Sequence, residues 1–264
     1  MGFKFCSLSS GSSGNCQYVE TDNIRVLIDA GMSGKKIEEL LSDIDVLPNT
    51  IDAILVTHEH IDHTKGVGVL SRRYDIPILA NEGTWSGMGK TIGNIKEYNI
   101  KTFNTGKEFE LKDLGILPFN ISHDAYEPVG YAIYYKNKKI SIITDTGWVN
   151  EDMKEYIKGS SLYLIESNHD LEMLKVGKYP WPLKKRIMGE KGHLSNDDAG
   201  KIISEIVSGN GEIALLGHLS QENNFPLLAY KTVKNILEDS GIDVHTDITL
   251  DLTHRDKVSK VYNF

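Results

Sequence analysis

A chain of 264 residues, 40% hydrophobic and 25% charged, can enclose a substantial core and has the composition of an ordinary globular protein. Its net charge of −8 argues against a broadly basic, nucleic-acid-coating surface and leaves room for a local basic groove. No apolar stretch approaches the ~18 residues of a membrane span, so no membrane partner is expected. The start, Met1 to Cys6, lacks the charged and long apolar regions of a signal peptide. Two cysteines, Cys6 and Cys16, do not make a disulfide framework and read as small core residues. The expectation is a single domain over residues 1–264 of a reduced, cytoplasmic protein.

In chain order, the Gly/Ser string Leu8–Asn15 passes for a linker by composition. Between two apolar strands it reads as a loop whose N–H groups and hydroxyls cradle a phosphate, with Ser9, Ser12 and Asn15 as its binding residues. Cys16–Glu20 and Ile24–Asp29 form a hairpin turned at Asp22-Asn23. Ser33 opens an amphipathic helix with Ile37, Leu40 and Leu41 on one face. The run Ile54-Leu55-Val56-Thr57 reads as a buried strand and delivers His58-Glu59-His60-Ile61-Asp62-His63. Two apart on extended backbone, His58 and His60 point to one side and reach one metal ion. Asp62 and His63, past the start of the turn, aim at a second ion. A helix follows from about His63 to Tyr74, then the strand Ile76–Ala80.

Isolated His and Asp residues close later apolar runs: His123 after Gly115–Ser122, Asp145 after Ile140–Thr144, and His218 after Ile213–Gly217. Tyr131–Tyr135 and Ile140–Thr144 form a hairpin. Leu162–Ile165 is a buried strand with Glu166 at its end. Asn196–Ser208 and Pro226–Asp239 are helices. Leu174–Met188 carries Lys175, Lys178, Lys184, Lys185 and Arg186 and no acid, which suits a phosphate backbone; Tyr179 and Trp181 within it suit unpaired bases. The alternative is a solvated connection with its aromatics tucked into the core. Trp85 and Trp148 read as packing residues, although Trp148 follows Asp145 closely enough to face substrate; His169 reads as a pocket residue, and His245 and His254 as surface residues.

The string His58–His63 after an apolar strand resembles the signature of the metallo-β-lactamase-fold hydrolases. The resemblance implies a four-layer αββα sandwich, an α/β fold, with the site at one edge of two facing sheets. It implies that His58, His60 and His123 hold one divalent metal ion and that Asp62, His63 and His218 hold another. Asp145 bridges the two, and Asp29 supports the site without binding metal. Two such ions lower the pKa of a shared water and clamp the oxygens of an in-line displacement; Asp62 belongs to this catalytic group as well as to the ligands. The donor set suits zinc, manganese and iron alike.

Gly192-His193-Leu194-Ser195 and Gly217-His218-Leu219-Ser220 are paired strings, and they resemble the ribonuclease Z branch. There the extra histidine protonates the departing alkoxide, a role this implies for His193, with Glu166 orienting it. The alternative has His193 capping the helix that starts at Asn196 and Glu166 as a solvated strand-end acid. Further strings resemble the YycJ (WalJ) group of bacterial exonucleases: the Gly/Ser loop, Ser122–Ala125, Glu166-Ser167-Asn168-His169-Asp170, Tyr179-Pro180-Trp181 and His218–Asn224. This resemblance implies 5′→3′ cleavage of DNA, a place in DNA repair, and a substrate held by Asn168, Lys184, Lys185 and Arg186 with the Gly/Ser loop. An RNA-processing or cyclic-nucleotide phosphodiesterase, a thioester or lactone hydrolase, and a metal-bound module without activity remain as alternatives.

Overall fold

The computed structural model describes residues 2–264. The strands are β1 Lys4–Ser9, β2 Cys16–Glu20, β3 Arg25–Ile28, β4 Ala53–Leu55, β5 Ile78–Ala80, β6 Ile100–Thr102, β7 Phe109–Leu111, β8 Leu114–Asn120, β9 Val129–Tyr135, β10 Lys138–Ile143, β11 Leu162–Glu166, β12 Glu212–Gly217, β13 Ile248–Leu252 and β14 Tyr262–Asn263. The helices are α1 Gly34–Ser42, α2 Ile61–Thr64, α3 Val67–Tyr74, α4 Glu82–Met88, α5 Glu151–Ile157, α6 Leu171–Val176, α7 Trp181–Ile187, α8 Asn196–Ile206 and α9 Pro226–Asp239. One sheet has the order β14-β1-β2-β3-β4-β5-β6 and the other β13-β12-β11-β10-β9-β8-β7. Each is antiparallel on one side and parallel on the other: β3 to β6 run parallel in the first, β10 to β13 in the second.

Three apolar layers hold four structural layers together. Side chains alternate along buried strands, so one strand feeds two of them. Val26 and Ile28 of β3 meet Tyr131, Ile142 and Leu164 between the sheets. Leu27, on the opposite face of β3, packs on Ile37, Leu40 and Leu41 of α1 and Val67 and Leu70 of α3. Tyr163 and Ile165 of β11 pack outward on Met153, Ala199, Ile203 and Val233 of α5, α8 and α9. This is the αββα sandwich.

Three expectations shift. The helix from His63 to Tyr74 is two helices, α2 and α3, broken at Gly66. There the Gly66 N–H donates to the Ala30 carbonyl at 2.7 Å, and a Cβ would lie 2.5 Å from the Met32 carbonyl oxygen. Leu174–Met188 is not a solvated connection with its aromatics tucked into the core: it lies across α6 and α7, with Leu174 buried and Trp181 55% exposed. Its short helices were hidden by Gly177, Pro180 and Pro182, which read as loop residues in sequence. The N-cap of α8 is Ser195, whose hydroxyl accepts from the Asp198 N–H at 3.1 Å, so His193 is not the capping residue. Among the described residues, no helix is long and apolar enough to cross a membrane.

Candidate active site

The parallel strands end on one edge, and there the chain turns sharply. Asp29, Asp145 and His218 follow β3, β10 and β12 with φ of 62°, 57° and 52°. Asp and His tolerate this left-handed region better than most residues, and holding them there takes surrounding bonds. Asp29 has them. Its carboxylate accepts from the Thr57 N–H and hydroxyl, both at 2.8 Å, and pairs with His63 Nδ1 at 2.7 Å. With Nδ1 so engaged, His63 turns Nε2 toward the centre. Gly31 lets the two loops close: the Asn15 N–H donates to the Asp62 carbonyl at 2.8 Å, and a Cβ on Gly31 would lie 1.6 Å from that oxygen.

Three imidazoles meet at one point. His60 Nδ1 lies 3.1 Å from His58 Nε2 and 3.2 Å from His123 Nε2. Ring nitrogens facing one another this closely present lone pairs to a common centre, the arrangement a divalent cation requires. Burial, with charged neighbours around them, pushes the pKa of His58 well down and lowers that of His123, which favours neutral donors. A second grouping surrounds Asp145, whose Oδ2 is 3.0 Å from His63 Nε2 and 2.8 Å from His218 Nδ1. Asp62 Oδ2 stands 3.7 Å from His63 Nε2 and 4.0 Å from His218 Nε2. Burial is the largest influence and lowers the pKa of His63 and His218, but the surrounding carboxylates together outweigh it and raise both, Asp145 with Asp29 and Asp62 at His63 and Asp145 with Glu166 at His218. Burial likewise acts to raise Asp145, yet the two imidazoles hold its carboxyl well below the usual range. The Asp145 carboxylate thus sits where neighbouring positive charge is favoured, which divalent cations would also supply. The donor set fits divalent metal.

His193 and Glu166 form a separate pair beside these groups. His193 Nδ1 is 2.8 Å from Glu166 Oε1, while Glu166 Oε2 accepts from the Thr146 N–H at 2.8 Å and the Leu194 N–H at 3.3 Å. Glu166 is fully buried, not solvated. Burial opposes a charge on His193, but Glu166, then Asp145 and Asp62, raise its pKa to about 9. Asp145, Glu166, His193 and His218 also lie close enough together to ligate one ion, a grouping not foreseen in the sequence. His193 lines a cavity of about 340 Å³ with His60, Asp62, His123, Asp145 and His218.

The expected substrate residues divide. Ser12, Asn168 and Arg186 line the cavity. Asn168 Nδ2 donates to the His218 carbonyl at 2.9 Å, and Arg186 Nε donates to Asp124 Oδ2 at 2.6 Å. Lys185 is exposed, 5.9 Å from the Trp181 ring centre. Three expectations need correction. Lys184 is buried with its ammonium donating to the Lys175 carbonyl at 2.7 Å, so it braces α7 on α6 and has no free charge for a phosphate. The buried Ser9 hydroxyl lies 2.7 Å from the Gly14 carbonyl and 2.6 Å from that of Arg255, so it holds its own loop. The Asn15 amide spans Gly11, the Asp62 carbonyl and, at 3.0 Å, His63 Nε2; it sits beside the candidate ligands and is not a free phosphate contact. Trp148 is 52% exposed, so it does not pack and the other reading, that it faces outward beside the Asp145 loop, remains; the Trp85 indole donates to the Lys101 carbonyl. His169, expected in the pocket, is buried outside the cavity walls. His245 is exposed and His254 half-buried.

Sequence reading missed Thr57, Thr146 and Ser10. The Ser10 hydroxyl accepts the His218 N–H at 2.9 Å across 208 positions of chain, a contact without a local signal. Thr57 and Thr146 each adjoin a flagged residue, His58 and Asp145, and adjacency was the available hint.

Residues 24–219 match the family described as Beta-lactamase superfamily domain. The chain is 45% identical over 244 residues to the exodeoxyribonuclease YycJ of Bacillus anthracis, covering 92% of each. It is 43% identical over 249 residues to the exodeoxyribonuclease WalJ of Streptococcus pneumoniae serotype 2, covering 94% of this chain and 93% of that one. Among solved structures, the metallo-beta-lactamase fold protein YhfI from Bacillus subtilis superposes with a TM-score of 0.74 at 15% identity, over 98% of this chain and 99% of that one.

Proposed function

The chain belongs to the beta-lactamase superfamily domain family, and from that membership we propose a metal-dependent phosphodiesterase that shortens DNA from strand ends in the 5′→3′ direction. The names of its relatives at 43–45% identity support DNA over RNA, cyclic nucleotides and thioesters. In this reading His58, His60 and His123 hold one divalent ion, Asp62, His63 and His218 hold another, and Asp145 stands between them. Zinc, manganese and iron all suit these donors. Such ions supply Lewis acidity toward phosphoryl oxygens and a lowered pKa for a coordinated water.

The remaining work falls to the chain itself. Asp29 and Thr57 fix the tautomer and orientation of His63, and Ser10 fixes the backbone of His218. Burial opposes a charge on His193, but Glu166 foremost, with Asp145 and Asp62, raises its pKa to about 9 and so favours a proton on the ring that faces the cavity. A departing sugar alkoxide is strongly basic and needs a proton, which His193 gives up at its outer ring nitrogen while Glu166 keeps hold of Nδ1–H. The observation that carries the reading is this pair, held at 2.8 Å beside the convergent histidines. An acyl transfer to water, with a good thiolate leaving group, would have little use for it.

The test is a panel of 5′- and 3′-labelled DNA strands, precursor tRNA, a cyclic nucleotide and a thioester, each with Zn²⁺ or Mn²⁺. Release of label as short products from the 5′ end of DNA ahead of the other substrates is expected. Faster turnover of the thioester or of RNA would overturn the assignment.

A further inference from the structure

The loops that deliver the candidate ligands also carry large rings out into solvent. Tyr126, three residues after His123, is 74% exposed, and its N–H donates to Glu59 Oε1 at 2.9 Å, which pins it over the His58–His60 turn. Trp148, three residues after Asp145, is 52% exposed. Gly147 before it passes so close to the turn leading to His193 that a Cβ would lie 2.3 Å from the Gly189 carbonyl oxygen. The loop that carries Trp148 thus runs from Asp145, which lines the cavity, past the turn that leads to His193. Trp181, at 55% exposure, opens α7, whose Leu183, Arg186 and Ile187 line the same cavity.

Large rings left in water on three segments that also carry cavity-lining residues give up burial they would gain elsewhere, and exposure of this kind marks a contact surface. The charges around them select the occupant. Lys178, Lys185 and Lys191 are exposed on the segment that carries Trp181 and leads to His193, with the Lys185 ammonium 5.9 Å from the Trp181 ring centre. Flat aromatic faces interleaved with cations suit successive bases and phosphates of a single strand better than an apolar protein face. A cavity of about 340 Å³ is of small-ligand size and receives one strand end, not a duplex.

Resting on the nuclease reading above, the geometry points to Tyr126, Trp148 and Trp181 as a collar that stacks the unpaired terminal bases of the strand being shortened. A paired end must then fray before it reaches His193, so the collar sets which ends are cut fastest.

Tryptophan emission reads the contact directly, with Trp85 as the indole held away from the mouth. In a His193→Ala background with Mn²⁺, a ten-nucleotide single strand should quench emission. The Trp148→Phe/Trp181→Phe double variant should bind the strand with little loss yet lose the quenching. Trp148→Ala/Trp181→Ala, in the otherwise native protein, should bind it about tenfold or more weakly. It should favour frayed ends over G·C-clamped ends less than the parent does, and its turnover of bis(p-nitrophenyl) phosphate should be unchanged. Quenching that survives in the double Phe variant, or equal end preference in parent and Ala variant, overturns the collar. If the native protein cuts no DNA at all, it is the nuclease reading that fails, and the chromogenic ester distinguishes that case.

Discussion

Asp145 is the residue on which both halves of the site converge, since one carboxylate oxygen faces His63 at 3.0 Å and His218 at 2.8 Å. Asp145→Ala removes that shared negative charge and leaves two buried imidazoles facing each other. Metal content measured after desalting should fall, with affinity weakened about 100-fold or more, and turnover should fall with it. Retention of two tightly bound ions would remove Asp145 from the ligands. His193 differs in kind. His193→Ala should keep its metal, yet cleave DNA about 100- to 10,000-fold more slowly. On a p-nitrophenyl phosphodiester, whose leaving group needs no proton, the loss should stay under about tenfold. Equal losses on both substrates would mean that His193 positions substrate. At this scale the sequence was legible wherever chemistry is written in residue type: His, Asp and Glu at strand ends. Ser10 and Thr57 were not legible, because a hydroxyl that holds a neighbour's backbone or carboxylate looks like any other hydroxyl until the chain folds.

The central parallel strands β3, β4, β5, β10, β11 and β12 were the legible elements, because they are largely buried on both faces and read as apolar runs, whereas the edge strand β6 is exposed and gave no such signal. Their ends locate the site: β3, β4, β10, β11 and β12 stop at one edge and hand over Asp29, the His58–His63 turn, Asp145, Glu166 and, one residue on, His218. The segment from Leu171 to Ile187 was legible in charge but not in shape. Its lysines look equivalent in sequence, yet Lys184 is folded under α7 while Lys178 and Lys185 face solvent. The difference is measurable. Lys178→Glu/Lys185→Glu should flatten the slope of log affinity for DNA against log salt by about 1 to 2, as the released counterions are lost. Lys184→Met should leave that slope unchanged and instead cost on the order of 1 kcal/mol of stability for the missing bond to Lys175. An unaltered slope in the double variant would place the nucleic acid on another face.

The whole molecule is stapled at one edge by charges that only partly compensate, and its stability should depend on pH in a way that metal reverses. His193 has its pKa raised to about 9 by Glu166 against the pull of burial, from a usual 6.5. It binds its proton more tightly folded than unfolded. That contribution is fully present below pH 6.5 and is lost as the pH climbs through 9; His63 and His218, also raised, act in the same direction. Discounted for the ring's 22% exposure, the His193 part is on the order of 2 kcal/mol. His58 and His123 are lowered, so they stabilise the neutral range and lose that stabilisation only on the acid side. In chelator, the melting temperature should therefore decline from pH 7 to pH 9 by about 5 °C. Divalent metal competes with the protons on His63 and His218, so its binding tightens as they leave. At a hundredfold excess over its dissociation constant, it adds about 2.7 kcal/mol. The melting temperature with Mn²⁺ should hold level or rise over the same interval, and the gap between the two curves should widen toward alkaline pH. His193→Ala should flatten the chelator curve and leave the widening, since its proton is not one that the ions replace. A gap that narrows with pH would mean that His63 and His218 are not where the metal binds.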